Sequence, residues 1–203
     1  MSRNRWLQRQ ANDPFVKQAR ADGYRARAAY KLKELNDKDR LFKRGQRVVD
    51  LGAAPGSWSQ VAVELTGGPK CCSTVVALDL LPMDPLDGVV FIQGDFRDDE
   101  PLQQLETTVG SKVDLVLSDM APNISGIAPA DQARSMHLAE LALDFAIQWL
   151  HPNGALVIKL FQGQGFDAFV QQARSAFREV RLRKPDASRS ESREVYLVAK
   201  SLR

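Results

Sequence analysis

The chain has little of the residues that build disulfide frameworks and metal sites. Its 203 residues include only two cysteines and two histidines. Cys71 and Cys72 are adjacent and have no second pair at metal-ligand spacing, so the sequence indicates neither a disulfide framework nor a zinc site. His137 and His151 belong to no catalytic motif. The sequence therefore predicts no metal ligand.

Long apolar runs are also missing. No stretch approaches the roughly 20 apolar residues of a membrane span, and the first residues, MSRNRW, are not followed by the apolar segment of a secretory signal. With 44% hydrophobic and 26% charged residues, the chain is long enough to bury one sizeable core. We expect a cytoplasmic monomer with no membrane partner, built as one domain of residues 1–203 with a basic arm at 1–23 and a core at 24–203.

A turn of small residues between a strand and a helix organises the chain. It lies in residues 48–58, VVDLGAAPGSW. Gly52 lets the backbone turn where the strand stops, and Gly56 has no Cβ to obstruct a ligand at the start of the helix. A pyrophosphate-binding loop would have the spacing G-x-G-x-x-G, and Pro55 removes one backbone N–H from such a loop. The turn therefore favours a nucleoside without phosphates, with an ordinary strand-turn-helix as the alternative.

Two carboxylates follow the next strands. Asp79 ends the strand predicted at 73–79, 27 residues after Gly52, where an acidic residue can bind ribose hydroxyls. Asp95 follows the strand predicted at 89–93 and is placed to face the adenine edge of a bound nucleoside. Gly52 and Asp79 together predict a site for S-adenosylmethionine.

The net charge of +3 is unevenly distributed. Residues 1–47 carry 14 Lys/Arg against 5 Asp/Glu, residues 48–170 carry 5 against 16, and residues 171–203 carry 9 against 4. An acidic middle suits a cationic sulfonium, and two basic ends that meet in space would bind a polyanion such as nucleic acid. A pair of solvated charged faces is the alternative.

Apolar strands alternate with helices through most of the chain. This pattern predicts a parallel sheet covered by helices on both faces. The predicted strands are 46–51, 75–79, 89–93, 113–118 and 155–161, and the predicted helices are 24–36, 57–65, 131–149 and 166–177, after one short helix following Pro14.

The last two strands have a different connection. The runs 179–183 and 194–199 are joined by KPDASRSESR, which has no room for a crossover helix. They should therefore be antiparallel neighbours, so the last strand runs opposite to the parallel set.

Four charged residues should then meet at one edge of the sheet. Ligands of open α/β sheets bind beyond the carboxyl ends of the parallel strands, where Asp119 and Lys159 lie. The reversed last strand begins at that edge with Glu194, and Lys31 can reach it from the first long helix. A lysine inside the apolar run LVIKLF must reach solvent or be paired, and a desolvated lysine can act as a base. A salt-bridge network that closes the sheet edge is the alternative.

Six ordered motifs now show a resemblance. The chain resembles the FtsJ/RrmJ (RlmE) family of ribosomal RNA ribose 2′-O-methyltransferases from about residue 20 to residue 199. The resemblance rests on DLGAAPGSWSQ (50–60), DLLPM (79–83), QGDF (93–96), SDMAPN (118–123), KLFQG (159–163) and SREVY (192–196). Ser57 departs from the pattern, which has a second glycine after Gly56, and this affects only the fine geometry of the turn.

The resemblance implies a fold, a substrate and site residues. The fold is a Rossmann-like, seven-stranded and mostly parallel sheet with the last strand antiparallel. The implied reaction is methyl transfer from S-adenosylmethionine to the ribose 2′-oxygen of a uridine in 23S rRNA of the large ribosomal subunit. The family's catalytic tetrad maps onto Lys31, Asp119, Lys159 and Glu194, with Lys159 as candidate base. Its cofactor contacts map onto Gly56, Trp58, Asp79, Asp95 and Asp119, in addition to Gly52.

Two other functions are compatible with parts of this pattern. One is a methyltransferase that acts on a base, a protein or a small molecule. Base-amino methyltransferases commonly have an N/D-P-P-Y/F loop after strand four, whereas residues 119–123 here read DMAPN without an aromatic ring to stack on a flipped base. The other is an RNA-binding assembly factor without catalysis, against which the intact tetrad counts.

Overall fold

The computed structural model describes residues 13–189 and 191–203, and the first twelve residues of the predicted arm lie outside this part. Its helices are α1 (Pro14–Ala21), α2 (Ala28–Asp39), α3 (Ser57–Thr66), α4 (Asp99–Val109), α5 (Ala128–Trp149) and α6 (Phe166–Ala176). Its strands are β1 (Arg47–Leu51), β2 (Thr74–Asp79), β3 (Val89–Gln93), β4 (Val113–Ser118), β5 (Leu150–Phe161), β6 (Phe177–Arg183) and β7 (Glu194–Leu202).

One seven-stranded sheet has the order β3-β2-β1-β4-β5-β7-β6. The first five strands in this order pair in parallel, and β7 pairs antiparallel with both β5 and β6. The mostly parallel sheet with a reversed last strand is therefore confirmed. The order changes direction between β1 and β4, and at such a switch point the diverging loops leave a crevice beyond the strand ends.

Helices cover both faces of the sheet because successive strand residues point to opposite sides. Val48 packs with Leu32 and Trp58 on the face covered by α2 and α3. Val49 belongs to the cluster on the other face, where α4, α5 and α6 bury Leu105, Leu143 and Phe169. Each fully buried side chain of this size contributes roughly 1.5–3 kcal/mol to the free energy of unfolding. This packing on both faces holds the strands, and with them the polar residues at the strand ends, in fixed positions.

The N-terminal elements differ from the prediction in their bounds. α1 confirms the short helix after Pro14, and its Ala19 is buried against Tyr30 and Ala187. α2 begins at Ala28 and not at residue 24, because tertiary contacts hold the preceding backbone: the Arg25 N–H donates to Gln60 Oε1 and its guanidinium to the carbonyls of residues 55, 84 and 85.

One helix is missing from the sequence-based prediction. α4 buries Leu105 and Val109, with Leu102 packed against the same cluster, at the helical spacing of three and four residues. Pro101, in its first turn, fits a helix start. None of the described helices combines the length and the hydrophobicity that a transmembrane segment requires.

Candidate active site

The turn after β1 meets the turn after β4. Gly52 has φ +77°, and a Cβ there would lie 2.8 Å from the backbone nitrogen of Met120. Only glycine accepts both the conformation and this approach. The two turns open a cavity of about 290 Å³ at the predicted crevice. Its lining includes Gly52, Ala54, Leu78, Asp79, Gly94, Asp95, Phe96, Asp119, Met120, Pro122 and His137.

Asp79 joins the cavity to the backbone of two loops. Its Oδ2 accepts from Ala54 N at 2.9 Å, and its Oδ1 accepts from Leu81 N at 2.7 Å. Each carboxylate oxygen has a second lone pair, so both can still accept from a ribose hydroxyl. Asp79 is therefore positioned to hold the turn and a nucleoside sugar at the same time.

Asp95 also lines the cavity, but it has a partner of its own. The Arg97 guanidinium donates to both carboxylate oxygens, with Nε to Oδ1 at 2.9 Å, and this contact holds the pKa of Asp95 below its usual value. Asp95 thus stays ionised, with Arg97 limiting the directions from which a ligand can approach it.

Two of the predicted cofactor residues do not line the cavity. A Cβ on Gly56 would lie 2.7 Å from the Arg25 guanidinium, so this glycine gives space to Arg25. The Trp58 indole is 2% exposed, donates to the Ala28 carbonyl at 2.8 Å and lies 5.7 Å from the Tyr196 ring. The structure brings Gly52, Asp79, Asp95 and Asp119 together, and it places the Trp58 side chain in the core, because its large apolar ring fills the space between α2 and the sheet.

A buried carboxyl lies beneath the turn. Asp50 is fully buried in β1, and its Oδ2 accepts from Ser59 Oγ at 2.6 Å, while Oδ1 has no hydrogen-bond partner. Burial raises the pKa of Asp50 to about 7, and the nearby charges of Asp119 and Asp79 act in the same direction.

Lys159 and Asp119 form the first of two ion pairs beside the cavity. Lys159 Nζ lies 3.1 Å from Asp119 Oδ1 and donates to the Asp119 carbonyl at 2.5 Å. The amine is largely buried, with 10% of its side chain exposed. Two oxygens of one residue therefore fix its direction, as predicted for a paired lysine in an apolar strand.

Lys31 and Glu194 form the second ion pair. Lys31 Nζ lies 2.5 Å from Glu194 Oε1, and both side chains are mostly buried. Burial alone would raise the pKa of Glu194, but the charge and hydrogen bond of Lys31 outweigh it and lower the pKa. The tetrad is thus two ion pairs, in which Glu194 contacts Lys31 and Asp119 contacts Lys159.

Tyr196 links the two pairs, and sequence reasoning did not assign it to the site. Its hydroxyl donates to Asp119 Oδ1 at 2.9 Å, and Lys31 Nζ lies 5.8 Å from its ring centre. It is paired with Lys159 across the antiparallel β5–β7 register. Burial and the Asp119 charge raise the pKa of Tyr196 well above its usual value, so it remains a donor. The available signal was its position two residues after Glu194, on the same face of the strand.

The geometry fits S-adenosylmethionine. The cavity offers carboxylates for ribose hydroxyls and a sulfonium, and the exposed apolar side chains of Leu80 and Leu81 for a purine ring. The Lys159–Asp119 pair lies at its edge because Asp119 belongs to both. The amine is thus adjacent to the predicted cofactor site without lining it.

Comparisons with known proteins found relatives that match nearly the whole chain. A protein of Marinobacter nauticus named ribosomal RNA large subunit methyltransferase E is 58% identical over 100% of this chain and 97% of its own length. A protein of Methylobacillus flagellatus with the same name is 57% identical over 95% of this chain and 92% of its own. The crystal structure of a ribosomal RNA methyltransferase from Plasmodium falciparum superposes with a TM-score of 0.77 at 30% identity, covering 88% of this chain and 98% of that one.

The family model described as FtsJ-like methyltransferase matches residues 24–202, nearly the whole described chain. The cofactor predicted from Gly52 and Asp79 is therefore confirmed, and the chain belongs to the FtsJ-like methyltransferase family, as an enzyme that uses S-adenosylmethionine.

Proposed function

We propose that this enzyme methylates the ribose 2′-oxygen of a uridine in 23S rRNA of the large ribosomal subunit, as a step of ribosome maturation. The observation that carries the proposal is the buried Lys159 amine, held by two oxygens of Asp119 at the edge of the cofactor cavity. The names of the relatives, which specify the large-subunit RNA, support the substrate. The proposed setting is the cytoplasm, where the enzyme acts as a monomer on the rRNA or the subunit.

The chain's own residues are proposed to orient the nucleophile and remove its proton. Lys159, in its uncharged form, accepts the proton of the 2′-hydroxyl, and Asp119 keeps the amine directed at that oxygen. Tyr196 holds the Asp119 carboxylate in place through its hydroxyl. Lys31, held in place by its ion pair with Glu194, binds the ribose and stabilises negative charge that develops on the 2′-oxygen.

Positioning accounts for much of the expected rate. When bound, the cofactor supplies a methyl group already activated by the sulfonium. The residues of this chain therefore need only to align a hydroxyl with it and remove water, an effect that reaches several kcal/mol in well-oriented reactions. The stiffness of two ion pairs joined by one tyrosine suits that task.

Two measurements test the proposal. Mapping 2′-O-methylation across ribosomal RNA in cells with and without this protein should show one missing site in the 23S rRNA of the deletion strain. Purified enzyme with labelled cofactor should then transfer no methyl group to RNA that carries a 2′-deoxyribose at that nucleotide. Methylation of the deoxy substrate would show a base methyltransferase, and absence of turnover with every RNA would show a binding factor.

A further inference from the structure

An apolar cavity of about 330 Å³ lies beside the tetrad and is not used by the reaction described above. Its lining includes Pro122, Ile124, Gln132, Ser135, Phe161 and Arg193. It shares Ala121 and Pro122 with the lining of the cofactor cavity. We name it the Phe161 cavity.

The Phe161 cavity is within reach of the reacting centre. Phe161 follows Lys159 by two residues in β5, so both side chains point to the same face of the sheet. The Lys159 amine lies 6.0 Å from the centre of the Phe161 ring. Phe161 is also paired in register with Glu194 of β7. An aromatic ring therefore stands next to both ion pairs.

The walls of the Phe161 cavity are fixed before any ligand binds. The side-chain amide of Gln132 donates to the carbonyls of Phe161 and Gln164, each at 3.1 Å. The Asp131 carboxylate accepts from Ser125 N at 2.9 Å and from Gly126 N at 3.1 Å, and these bonds with the Ser125 hydroxyl lower the pKa of Asp131 to about 2. The loop that carries Ile124 is thus held in an ordered turn.

This ordered loop nevertheless exposes large apolar side chains. Ile124 is 85% exposed and Ile127 is 64% exposed, next to an apolar cavity and an active site. Apolar groups grouped around a functional site indicate a binding surface, whereas single exposed ones need no explanation. The partner is expected to present an apolar or aromatic face.

A second, polar cavity of about 340 Å³ is lined by the other ion pair. Its lining carries the cations Arg27, Lys31 and Arg189 and the carboxylates Glu191 and Glu194. Arg27 is paired with Asp13, Arg189 Nη2 lies 3.9 Å from the same carboxylate, and Lys31 is paired with Glu194. The connection that carries Arg189 is anchored to α2, since Glu34 accepts from the backbone N–H groups of residues 186 and 187 at 2.6 and 2.9 Å. The site therefore offers an apolar cavity and a polar cavity with three cationic side chains, each next to one ion pair of the tetrad.

A nucleotide likewise carries an apolar group and a charged group on either side of its 2′-oxygen. The base is bonded to C1′ and a phosphate to the oxygen of C3′, and these carbons are the two neighbours of C2′. When the 2′-hydroxyl lies at Lys159, the base and the 3′-phosphate must extend from the ribose in different directions. We propose, on the basis of the proposed function, that the Phe161 cavity binds the base of the target nucleotide, stacked between Phe161 and Ile124. Its 3′-phosphate then lies in the polar cavity lined by Arg27, Lys31 and Arg189.

The test is a cycle of protein and RNA changes. The RNA carries at the mapped nucleotide either the natural base or an abasic 1′-deoxyribose that keeps its 2′-hydroxyl, and it is offered as free RNA or in the large subunit, whichever the wild type accepts. Phe161→Ala and Ile124→Ala are compared with Ile147→Ala, which changes an isoleucine 41% exposed on α5 and outside the Phe161 cavity. Where turnover falls below detection, the RNA Kd is measured with S-adenosylhomocysteine bound.

Loss of one stacked base is expected to reduce kcat/KM roughly tenfold to a hundredfold. The wild type and Ile147→Ala should show this loss on abasic RNA. Phe161→Ala should have a similarly reduced kcat/KM already on the natural RNA, with little further reduction on the abasic RNA. The two losses should not add, because both changes remove the same contact. Ile124→Ala should behave likewise with a smaller loss. Calorimetric binding of S-adenosylmethionine, unchanged in each variant, shows that the fold is intact, and Phe161→Leu replaces Phe161→Ala if the latter fails this control.

The proposal would be overturned if the protein substitution and the abasic change reduced kcat/KM independently, so that their factors multiplied. It would also be overturned if the wild type had the same kcat/KM on natural and abasic RNA. These outcomes are distinct from failure of the proposed function. Methylation of the 2′-deoxy RNA would contradict the proposed ribose methylation itself. If that RNA is not methylated but the two changes act independently, only the assignment of the Phe161 cavity to the base is wrong.

Discussion

The proposed cofactor side and the proposed acceptor side of the candidate active site are built in different ways. On the cofactor side, Gly52 and Asp79 end neighbouring strands, and the carboxylate is held by backbone N–H groups. On the acceptor side, Lys31, Lys159 and Glu194 come from distant parts of the chain and are held by side-chain ion pairs. The first side depends on local turns, and the second exists only when the whole sheet has formed. Substitutions should therefore affect cofactor binding and catalysis separately.

The largest separation is expected at Lys159. Lys159→Ala should reduce methyl transfer by roughly 10²- to 10⁴-fold, the usual contribution of a positioned base, and should leave S-adenosylmethionine affinity within about twofold by calorimetry. Lys159→Arg should be nearly as inactive, because a guanidinium keeps the charge but does not release a proton at neutral pH. Near-full activity of Lys159→Arg would show that the residue acts only by charge or position.

At Asp79 we expect the opposite result, a loss of cofactor affinity with little loss of turnover. Asp79→Ala should weaken S-adenosylmethionine binding by about ten- to a hundredfold, because hydrogen bonds to a charged group contribute roughly 1.5–3 kcal/mol. At saturating cofactor, turnover should return close to that of the wild type. Asp114→Ala is a matched control, since Asp114 also accepts from a backbone N–H, that of Arg47 at 2.8 Å, and does not line the cofactor cavity. Equal cofactor affinities of the two variants would contradict the assignment.

The smallest effect on turnover is expected at Asp50, which is fully buried and does not line the cofactor cavity. Its pKa rises on folding from the ordinary value of 3.8 to about 7, so between these values the folded chain holds a proton that the unfolded chain has released. The free energy of unfolding should therefore fall as the pH rises from about 4 to about 7, by at most about 4 kcal/mol from this group, and change little from it above that range.

Asp50→Asn provides the measurement. The amide keeps an acceptor for Ser59 and stays neutral, so denaturation at pH 5 and pH 8 should show the variant gaining stability relative to the wild type at the higher pH. Asp84→Asn, at a carboxylate outside the core, controls for the loss of one surface charge. A difference between variant and wild type that is the same at both pH values would mean that the buried carboxyl does not titrate in this range.

Sequence reasoning placed Gly52, Asp79 and Asp119 at one cavity because the signals for their positions are local. Gly52 and Asp79 can be placed from strand periodicity and one turn, and parallel strands necessarily bring Asp119 and Lys159 to the same edge. Reversal of the last strand followed from the short connection before it, and it correctly moved Glu194 to that edge. The role of Trp58 came only from the family resemblance.

The remaining features depend on three-dimensional packing. The position of Tyr196 in the sequence does not show that its hydroxyl reaches Asp119. The position of Glu194 does not show that its carboxylate contacts Lys31 and not Lys159. Trp58 looks the same in sequence whether its ring faces a cofactor or the core. The start of α2 could not be placed because the contacts of Arg25 with distant carbonyls override local helix propensity. α4 was missed although its apolar spacing is helical.

The reversal of β7 has a consequence for the protection of its backbone. β7 lies between β5 and β6, and in the described sheet β6 has no other strand partner. β7 is therefore an interior strand that pairs with a neighbour on each side. Because Glu194 and Tyr196 lie on β7, their backbone is held within the sheet and not at its edge. We expect the amide protons along β7 to exchange with solvent as slowly as those of the central parallel strands.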